Sequence, residues 1–250
     1  MRALLFLYVL GLIPLGTTAQ TLQFVGNSQT VSNNAERQDT QKSITNLHLM
    51  PLFGETAKTG EQIEREIVFL NDCDQNFENR QEASTFFADR AWEYLRDNEL
   101  DTACYRFNLA WLLNPKNAYA YWGLGVVCFQ KGYFTDAERM LRMGIDYDSS
   151  NVGILVDLAT VDLIHFKQSQ EKFELVEAEQ ILSRALKLDT TNANTYLKYS
   201  VLEFHKGNYQ KAWANLHQTR LLDIELLDLE FLKELLDKQC DPEGIFSEKR

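Results

Sequence analysis

Small residues recur along this chain at a nearly constant interval. Two series of them share a spacing of 34 residues, and each series contains one longer interval of 41. The two series are Ala103, Ala137, Ala178 and Ala212, and Ala91, Gly125, Ala159 and Ser200. A period of this length is typical of stacked helical hairpins. The pattern therefore predicts four hairpins whose paired helices touch at small side chains, with seven inserted residues in the third.

Turn-forming residues lie where this pattern requires the helices to end. Within the hairpins, a left-handed residue is expected at Asn98, Gly132 and Gly207. Between the hairpins, polar segments occupy positions 114–117, 148–151 and 189–192. An asparagine closes each of these segments, and its side chain can accept hydrogen bonds from the first amides of the next helix. The turn chemistry thus agrees with the spacing of the small residues.

The second repeat has the clearest local pattern. The segments from Trp111 to Gly125 and from Lys131 to Ala137 resemble the loop and hairpin pattern of the tetratricopeptide-repeat (TPR) family. The resemblance covers about Ser84 to Leu221, and it implies an all-α fold in which helical hairpins form a right-handed superhelix. The implied repeats are 84–117, 118–151, 152–192 and 193–221. Asp162 and Glu203 stand where the family usually has a large aromatic residue.

Further helices are predicted on both sides of the repeats. Thr59 and Gln62 have the spacing of a capping box, which predicts an N-terminal helix and connection over 59–83. A leucine-rich segment predicts a C-terminal capping helix within 222–240, followed by a loose tail over 241–250. The inserted residues predict that the third hairpin protrudes, with a polar tip near Gln168 to Lys172.

The first residues have the layout of a secretory signal. A basic residue at Arg2 precedes an apolar run from Ala3 to Gly16, and small residues then end at Ala19. We expect cleavage after Ala19, so that 1–19 is the signal peptide and 20–58 a flexible polar leader. Gln20 stands where a lipoprotein would need cysteine. The predicted location is the periplasm or the extracellular space, with no membrane span in the mature chain.

Composition and motifs narrow the functional classes. The 12 glycines and 4 prolines among 250 residues are too few for a turn-rich β fold. The net charge of −11 at pH 7 excludes a nucleic-acid-binding role, which needs a basic surface to displace counterions from phosphates. The sequence contains no metalloprotease, serine-hydrolase or phosphate-loop motif, which disfavours an enzyme and leads us to expect no catalytic residues, metal or cofactor.

The resemblance implies a concave groove that is lined by the first helix of each hairpin and binds peptides. It places these side chains on the groove: Trp92, Leu95, Arg96, Tyr119, Trp122, Val126, Phe129, Val156, Thr160, Leu163, Leu197, Val201 and Phe204. Monomers rarely leave so much apolar surface open. It could be covered by a partner segment anchored on Trp92, Trp122 and Phe129, by the chain's own leader from Ile44 to Phe53, or by close packing between repeats.

Two further questions stay open at the level of sequence. Cys104 and Cys128 fall on neighbouring predicted helices, and the sequence allows either a disulfide between them or two buried free thiols. The functional prediction is an exported adaptor that binds another protein through the groove or the third hairpin. The alternatives are a structural subunit of a larger cell-envelope assembly and, with least support, an enzyme.

Overall fold

The computed structural model describes residues 47–246, and over that range the chain is helical without β-strands. Its α-helices are α1 (Gly60–Asn76), α2 (Arg80–Arg96), α3 (Leu100–Leu113), α4 (Ala118–Gln130), α5 (Phe134–Tyr147), α6 (Val152–Ser169), α7 (Lys172–Leu188), α8 (Ala193–His205), α9 (Tyr209–Leu222) and α10 (Leu229–Lys238). Among the described helices, none has the length and apolar character needed to cross a bilayer. The predicted all-α fold is confirmed. The predicted signal peptide, its cleavage site and leader residues 20–46 lie outside the described residues.

Four hairpins form the body of the fold. They pair α2 with α3, α4 with α5, α6 with α7 and α8 with α9, and each hairpin packs against the next. The paired helices meet at the small residues that define the repeat. Ser200 Oγ donates a hydrogen bond to the carbonyl of Ala212 at 2.7 Å, and a Cβ added at Gly125 would lie 2.7 Å from Cγ of Leu141. The helices are therefore too close at these points for a larger side chain.

The predicted turn chemistry is present at the helix ends. Helices α4, α6 and α8 each begin after an asparagine whose side chain accepts hydrogen bonds from their first amides: Asn117, Asn151 and Asn192. The turns inside three hairpins contain left-handed residues, with φ of 60° at Asn98, 80° at Gly132 and 77° at Gly207. Because both devices act within a few residues, sequence alone located these boundaries.

The third hairpin is the longest of the four. Helices α6 and α7 contain 18 and 17 residues, whereas α4 and α5 contain 13 and 14. Gln170, at a φ of 60°, ends α6, and residues 168–172 at the turn are all exposed. The insertion thus adds about one helical turn to each arm.

Specific hydrogen bonds order two described segments beside the repeats, the start of α1 and residues 241–246. Thr59 and Gln62 form the predicted capping box, with backbone-to-side-chain hydrogen bonds of 2.7 and 3.3 Å. At the other end, the prediction of a loose tail from Asp241 is wrong for residues 241–246. The Asp241 carboxylate accepts hydrogen bonds from the amides of Glu243 and Phe246, both at 2.9 Å. It also lies 2.7 Å from Nε2 of the buried His217, and Phe246 stacks on the His217 ring.

We expect acid to release this C-terminal segment. Burial by itself would raise the pKa of Asp241, but the amides of Phe246 and Glu243 and the His217 imidazole lower it overall. A carboxyl with a lowered folded-state pKa contributes stability above its unfolded pKa of about 3.9, and this stability is lost as the pH falls through the folded value. The hydrogen-exchange protection of the Phe246 amide should therefore fall below about pH 4, while the amides of α8 stay protected.

The variant Asp241→Asn should lower the same protection factor at pH 7, because it removes the charged acceptor. Asp237→Asn, at an exposed position on α10, is the control for the loss of one negative charge. Equal protection of Phe246 in wild type and Asp241→Asn would show that Asp241 does not hold the segment.

Candidate functional site

We call the first helix of each hairpin its inner helix and the second its outer helix. Three aromatic side chains meet on the inner helices α2 and α4. Trp92 lies 4.8 Å from Trp122 and 5.4 Å from Tyr119, measured between ring centroids, and the Tyr119 and Trp122 rings are 5.6 Å apart. We call Trp92, Tyr119 and Trp122 the aromatic cluster. Tyr119 is 38% exposed, whereas both tryptophans are half-buried. Among the predicted groove residues, the structure brings these three together as a partly open aromatic surface.

The aromatic cluster rests on a rigid base. Trp92 packs edge-on against the fully buried Phe107, with ring centroids 5.4 Å apart. The Trp122 indole lies on Gly153 of α6, where an added Cβ would come within 2.4 Å of the ring. The Trp122 Nε1 donates a hydrogen bond to Oδ2 of Asp157 at 2.6 Å. The orientation of Trp122 is thus set by one close backbone approach and one carboxyl acceptor.

A half-buried acid and a half-buried base, Asp157 and Lys198, continue this inner surface beyond Trp122. Burial raises the pKa of Asp157, while the Trp122 hydrogen bond and Lys198 oppose that shift. Burial lowers the pKa of Lys198 on α8, and Asp157 and Asp228 act in the opposite direction. Neither residue is among the predicted groove residues. Gly153 and Asp157 lie one helical turn apart on α6, so they share one face of that helix. This spacing is the sequence signal that could have placed Asp157 beside Trp122.

Part of the predicted groove is instead interior. Leu95, Val156, Leu163 and Leu197 are only 1–9% exposed, so the prediction that they line an open surface is wrong. Leu163 packs among residues of the third hairpin, and Leu197 packs with Trp213 and Phe231. Packing within each hairpin and against its neighbours covers one edge of the inner helices, and these positions belong to that covered edge.

The remaining predicted groove residues keep some accessibility. Arg96 and Tyr119 are exposed, and the others are half-buried: Trp92, Trp122, Val126, Phe129, Thr160, Val201 and Phe204. Phe204 packs against Phe231 of α10 at 5.5 Å between centroids. The C-terminal helix therefore covers the last repeat, and the open aromatic surface lies toward the first two hairpins. Whether these residues bind a partner stays a prediction.

The leader does not fill this groove over the residues that the structure describes. Residues 47–55 pack on the outer helices, and Leu52 is 3% exposed. Its amide donates to Oδ1 of the fully buried Asn108 on α3 at 2.7 Å, and Asn108 Nδ2 donates to the carbonyls of Met50 at 2.8 Å and His48 at 3.2 Å. Glu55 forms an ion pair with Arg139 of α5 at 2.6 Å. Of the three alternatives for covering the groove, the one with the chain's own leader is thus contradicted for residues 47–53, while residues 44–46 lie outside the described range.

The docked leader segment has an unusual backbone. Leu52, Phe53 and Glu55 have φ of 53°, 54° and 52°, and Gly54 between them has φ of 70°. The left-handed region costs a residue with a Cβ roughly 1–2 kcal/mol. No turn motif in the sequence predicts this path. The contacts with Asn108, the burial of Leu52 and the ion pair between Glu55 and Arg139 hold the segment in it.

The cysteines offer no bridge within the described chain. Cys104 and Cys128 are both buried and free, so of the two alternatives the structure contains the free thiols. Burial raises the pKa of each to about 12. Both thiols are accordingly protonated at neutral pH and behave as small apolar side chains.

Comparisons with known proteins establish the fold. No protein-family model matches the sequence, and no curated protein matches it significantly. Among solved structures, a thermophilic TPR protein of Thermus thermophilus is 19% identical with a TM-score of 0.55, and the match covers 62% of this chain and 85% of that one. PilF of Pseudomonas aeruginosa is also 19% identical, with a TM-score of 0.54 over 64% of this chain and 68% of its own. The described chain therefore has the fold of the tetratricopeptide-repeat proteins.

Proposed function

We propose that this protein is an exported adaptor that binds a segment of another protein on its inner surface. The observation that carries the proposal is the partly open aromatic cluster of Trp92, Tyr119 and Trp122, which is held in place from beneath by Phe107, Gly153 and Asp157. Aromatic side chains on a rigid support provide much of the binding energy of protein interfaces. Binding requires no chemical step, because a preformed surface only has to exclude water from the partner's side chains.

The polar groups around the cluster indicate what the partner segment contains. Arg96 is exposed on α2, and the half-buried Asp157 and Lys198 lie on α6 and α8. A segment with apolar or aromatic anchors and a few polar groups matches this surface better than a strongly charged one. The overall charge of −11 disfavours strongly acidic partners.

Replacing Trp122 with alanine tests the binding surface. We expect a loss of about 2 kcal/mol in binding free energy, or about thirty-fold in Kd, with helical content retained. Trp111→Ala is the matched control, since Trp111 is half-buried on the outer helix α3 and should cost stability without weakening binding. A photo-crosslinking residue at Tyr119 in intact cells should give an adduct of defined mass that disappears in Trp122→Ala.

The same experiment has an outcome that contradicts the adaptor. A crosslinking residue at the exposed Asp146 on α5 should give no such adduct. Stoichiometric adducts from Asp146 together with none from Tyr119 would favour the structural subunit of a larger assembly. A large loss of circular dichroism in Trp122→Ala would show that Trp122 acts as a core residue.

Export is proposed from the first 19 residues, whose layout is that of a secretory signal. The intact mass of the protein recovered from its native compartment should correspond to a chain that begins at Gln20. Recovery of a chain that still begins at Met1 would contradict the proposal.

A further inference from the structure

The long third hairpin places three carboxyl groups together. Asp162 lies on α6, and Glu174 and Glu177 lie three residues apart on α7, which puts both on one helix face. One carboxylate oxygen from each residue lies within 4.8 Å of the other two. Two oxygens bound to one Ca²⁺ at 2.3–2.6 Å are at most about 5 Å apart, so the spacing suits a shared cation.

Asp162 is unusual because its charge has no direct partner. The residue is 1% exposed, and both of its carboxylate oxygens are buried without a hydrogen bond in the described structure. An ionised carboxylate in this state is strongly unfavourable, so a buried group of this kind is normally neutralised by a proton, a basic side chain or a metal ion.

Basic side chains nearby are already engaged. Arg142 of α5 donates to Glu138 at 2.7 Å and to Glu177 at 3.0 Å. His165 Nδ1 lies 3.6 Å from Oε2 of Glu138. Arg142 acts on Asp162 only through its electric field. The guanidinium of Arg142 and the imidazole of His165 are thus the nearby basic groups for four carboxyl groups: Glu138, Asp162, Glu174 and Glu177. Acidic groups therefore outnumber basic ones around the buried Asp162.

The ionisation behaviour of these groups agrees with the geometry. Burial raises the pKa of Asp162 to about 7, against the effect of Arg142 and with added contributions from Glu177, Glu138 and Glu174. Burial also raises the pKa of Glu174, and the neighbouring glutamates add to this shift. Both shifts reflect the same burial and the same excess of neighbouring carboxyl groups that the geometry shows.

We propose that Asp162, Glu174 and Glu177 bind a hard divalent cation, Ca²⁺ in particular. Ligands that are all carboxylate oxygens favour Ca²⁺ or Mg²⁺ over softer metals, and the flexible coordination of Ca²⁺ suits three side chains from two helices. Glu177 is partly exposed, which leaves room for water to complete the coordination. The ion ties the two arms of the third hairpin together near its protruding half.

The test is a calcium titration of the purified full-length chain after removal of metals with EDTA. In wild type, CaCl₂ should raise the thermal unfolding midpoint and give saturable heat in isothermal titration, since binding to the folded state alone stabilises it. Both effects should be lost in Asp162→Asn and in Glu174→Gln. The control is Glu171→Gln at the exposed tip of the same hairpin, which removes one charge and should bind Ca²⁺ like wild type.

Two results would overturn the proposal. The first is no change in midpoint and no heat with either Ca²⁺ or Mg²⁺ in wild type. The second is equal binding in wild type and both cluster variants, which would indicate an adventitious ion only. Asp162→Asn removes an unpaired buried charge, so its folding is not at risk, and the partly exposed Glu174 gives a second independent variant.

Discussion

Replacing Asn108 with alanine is expected to release residues 47–55 from the outer surface of the first two hairpins. Asn108 makes three hydrogen bonds with the backbone of this segment, which together stabilise docking by about 3 kcal/mol. The left-handed residues Leu52, Phe53 and Glu55 oppose docking at roughly 1–2 kcal/mol each, which together equals or exceeds the contribution of the three bonds. Burial of Leu52, worth about 2 kcal/mol, and the exposed Glu55–Arg139 ion pair, worth at most about 1 kcal/mol, do not hold the segment once the three bonds are gone.

Limited proteolysis measures this release, because cleavage within 47–55 requires the segment to leave the surface. Hydrogen exchange at the Leu52 amide reports the loss of its own bond, because that amide donates to Asn108 Oδ1. We expect its protection to be lost in Asn108→Ala, and limited proteolysis to cut within 47–55. Asn215→Ala is the control, since Asn215 Nδ2 donates to the carbonyl of Lys211 within its own helix. Retained protection of Leu52 in Asn108→Ala would show that side-chain burial, not the Asn108 bonds, holds the leader.

Gly123→Ala is expected to destabilise the protein and displace the aromatic cluster. A Cβ at this position would lie 2.0–2.4 Å from three ring carbons of Phe107, and Phe107 is fully buried beneath Trp92. Overpacking of this kind costs up to about 3 kcal/mol. The better helix propensity of alanine returns only about 1 kcal/mol. We therefore expect a net loss of about 2 kcal/mol in unfolding free energy.

Urea denaturation monitored by circular dichroism gives the loss in stability, and tryptophan fluorescence reports displacement of Trp92. Gly60→Ala is the matched control, because nothing lies within 4 Å of its added Cβ at the start of α1. Phe107→Leu should partly rescue Gly123→Ala by making room, which a double-mutant cycle detects as coupling. Additive effects of the two substitutions would contradict the predicted clash.

Most of the fold was predictable because its signals repeat and act locally. Asparagine caps such as Asn117 and left-handed turn residues such as Gly132 need only a few neighbouring residues to form their contacts. The small residues of the two series recur with the repeat, so each occurrence supported the others. The protruding third hairpin followed from one change in that spacing.

The candidate site was predictable only in part. The aromatic residues Trp92 and Trp122 were recognised from their repeat positions, but the same positions in other repeats, such as Val156 and Leu197, are buried. A repeat pattern indicates which side of a helix a residue occupies. It does not state how far the next hairpin covers that side, because the covering depends on the size of side chains from another repeat.

The sequence by itself determined the four hairpins, their boundaries and the greater length of the third hairpin. Short-range caps and periodic small residues specify helices and the contacts between them. Only the tertiary structure decided where residues 47–55 lie, which groove residues stay open, and that Asp162 meets Glu174 and Glu177. These features join residues from separate elements. Asn108 meets residues that lie 56 to 60 positions earlier in the chain, and no local pattern encodes such a meeting. It arises from the burial of polar groups that must then find partners across the fold.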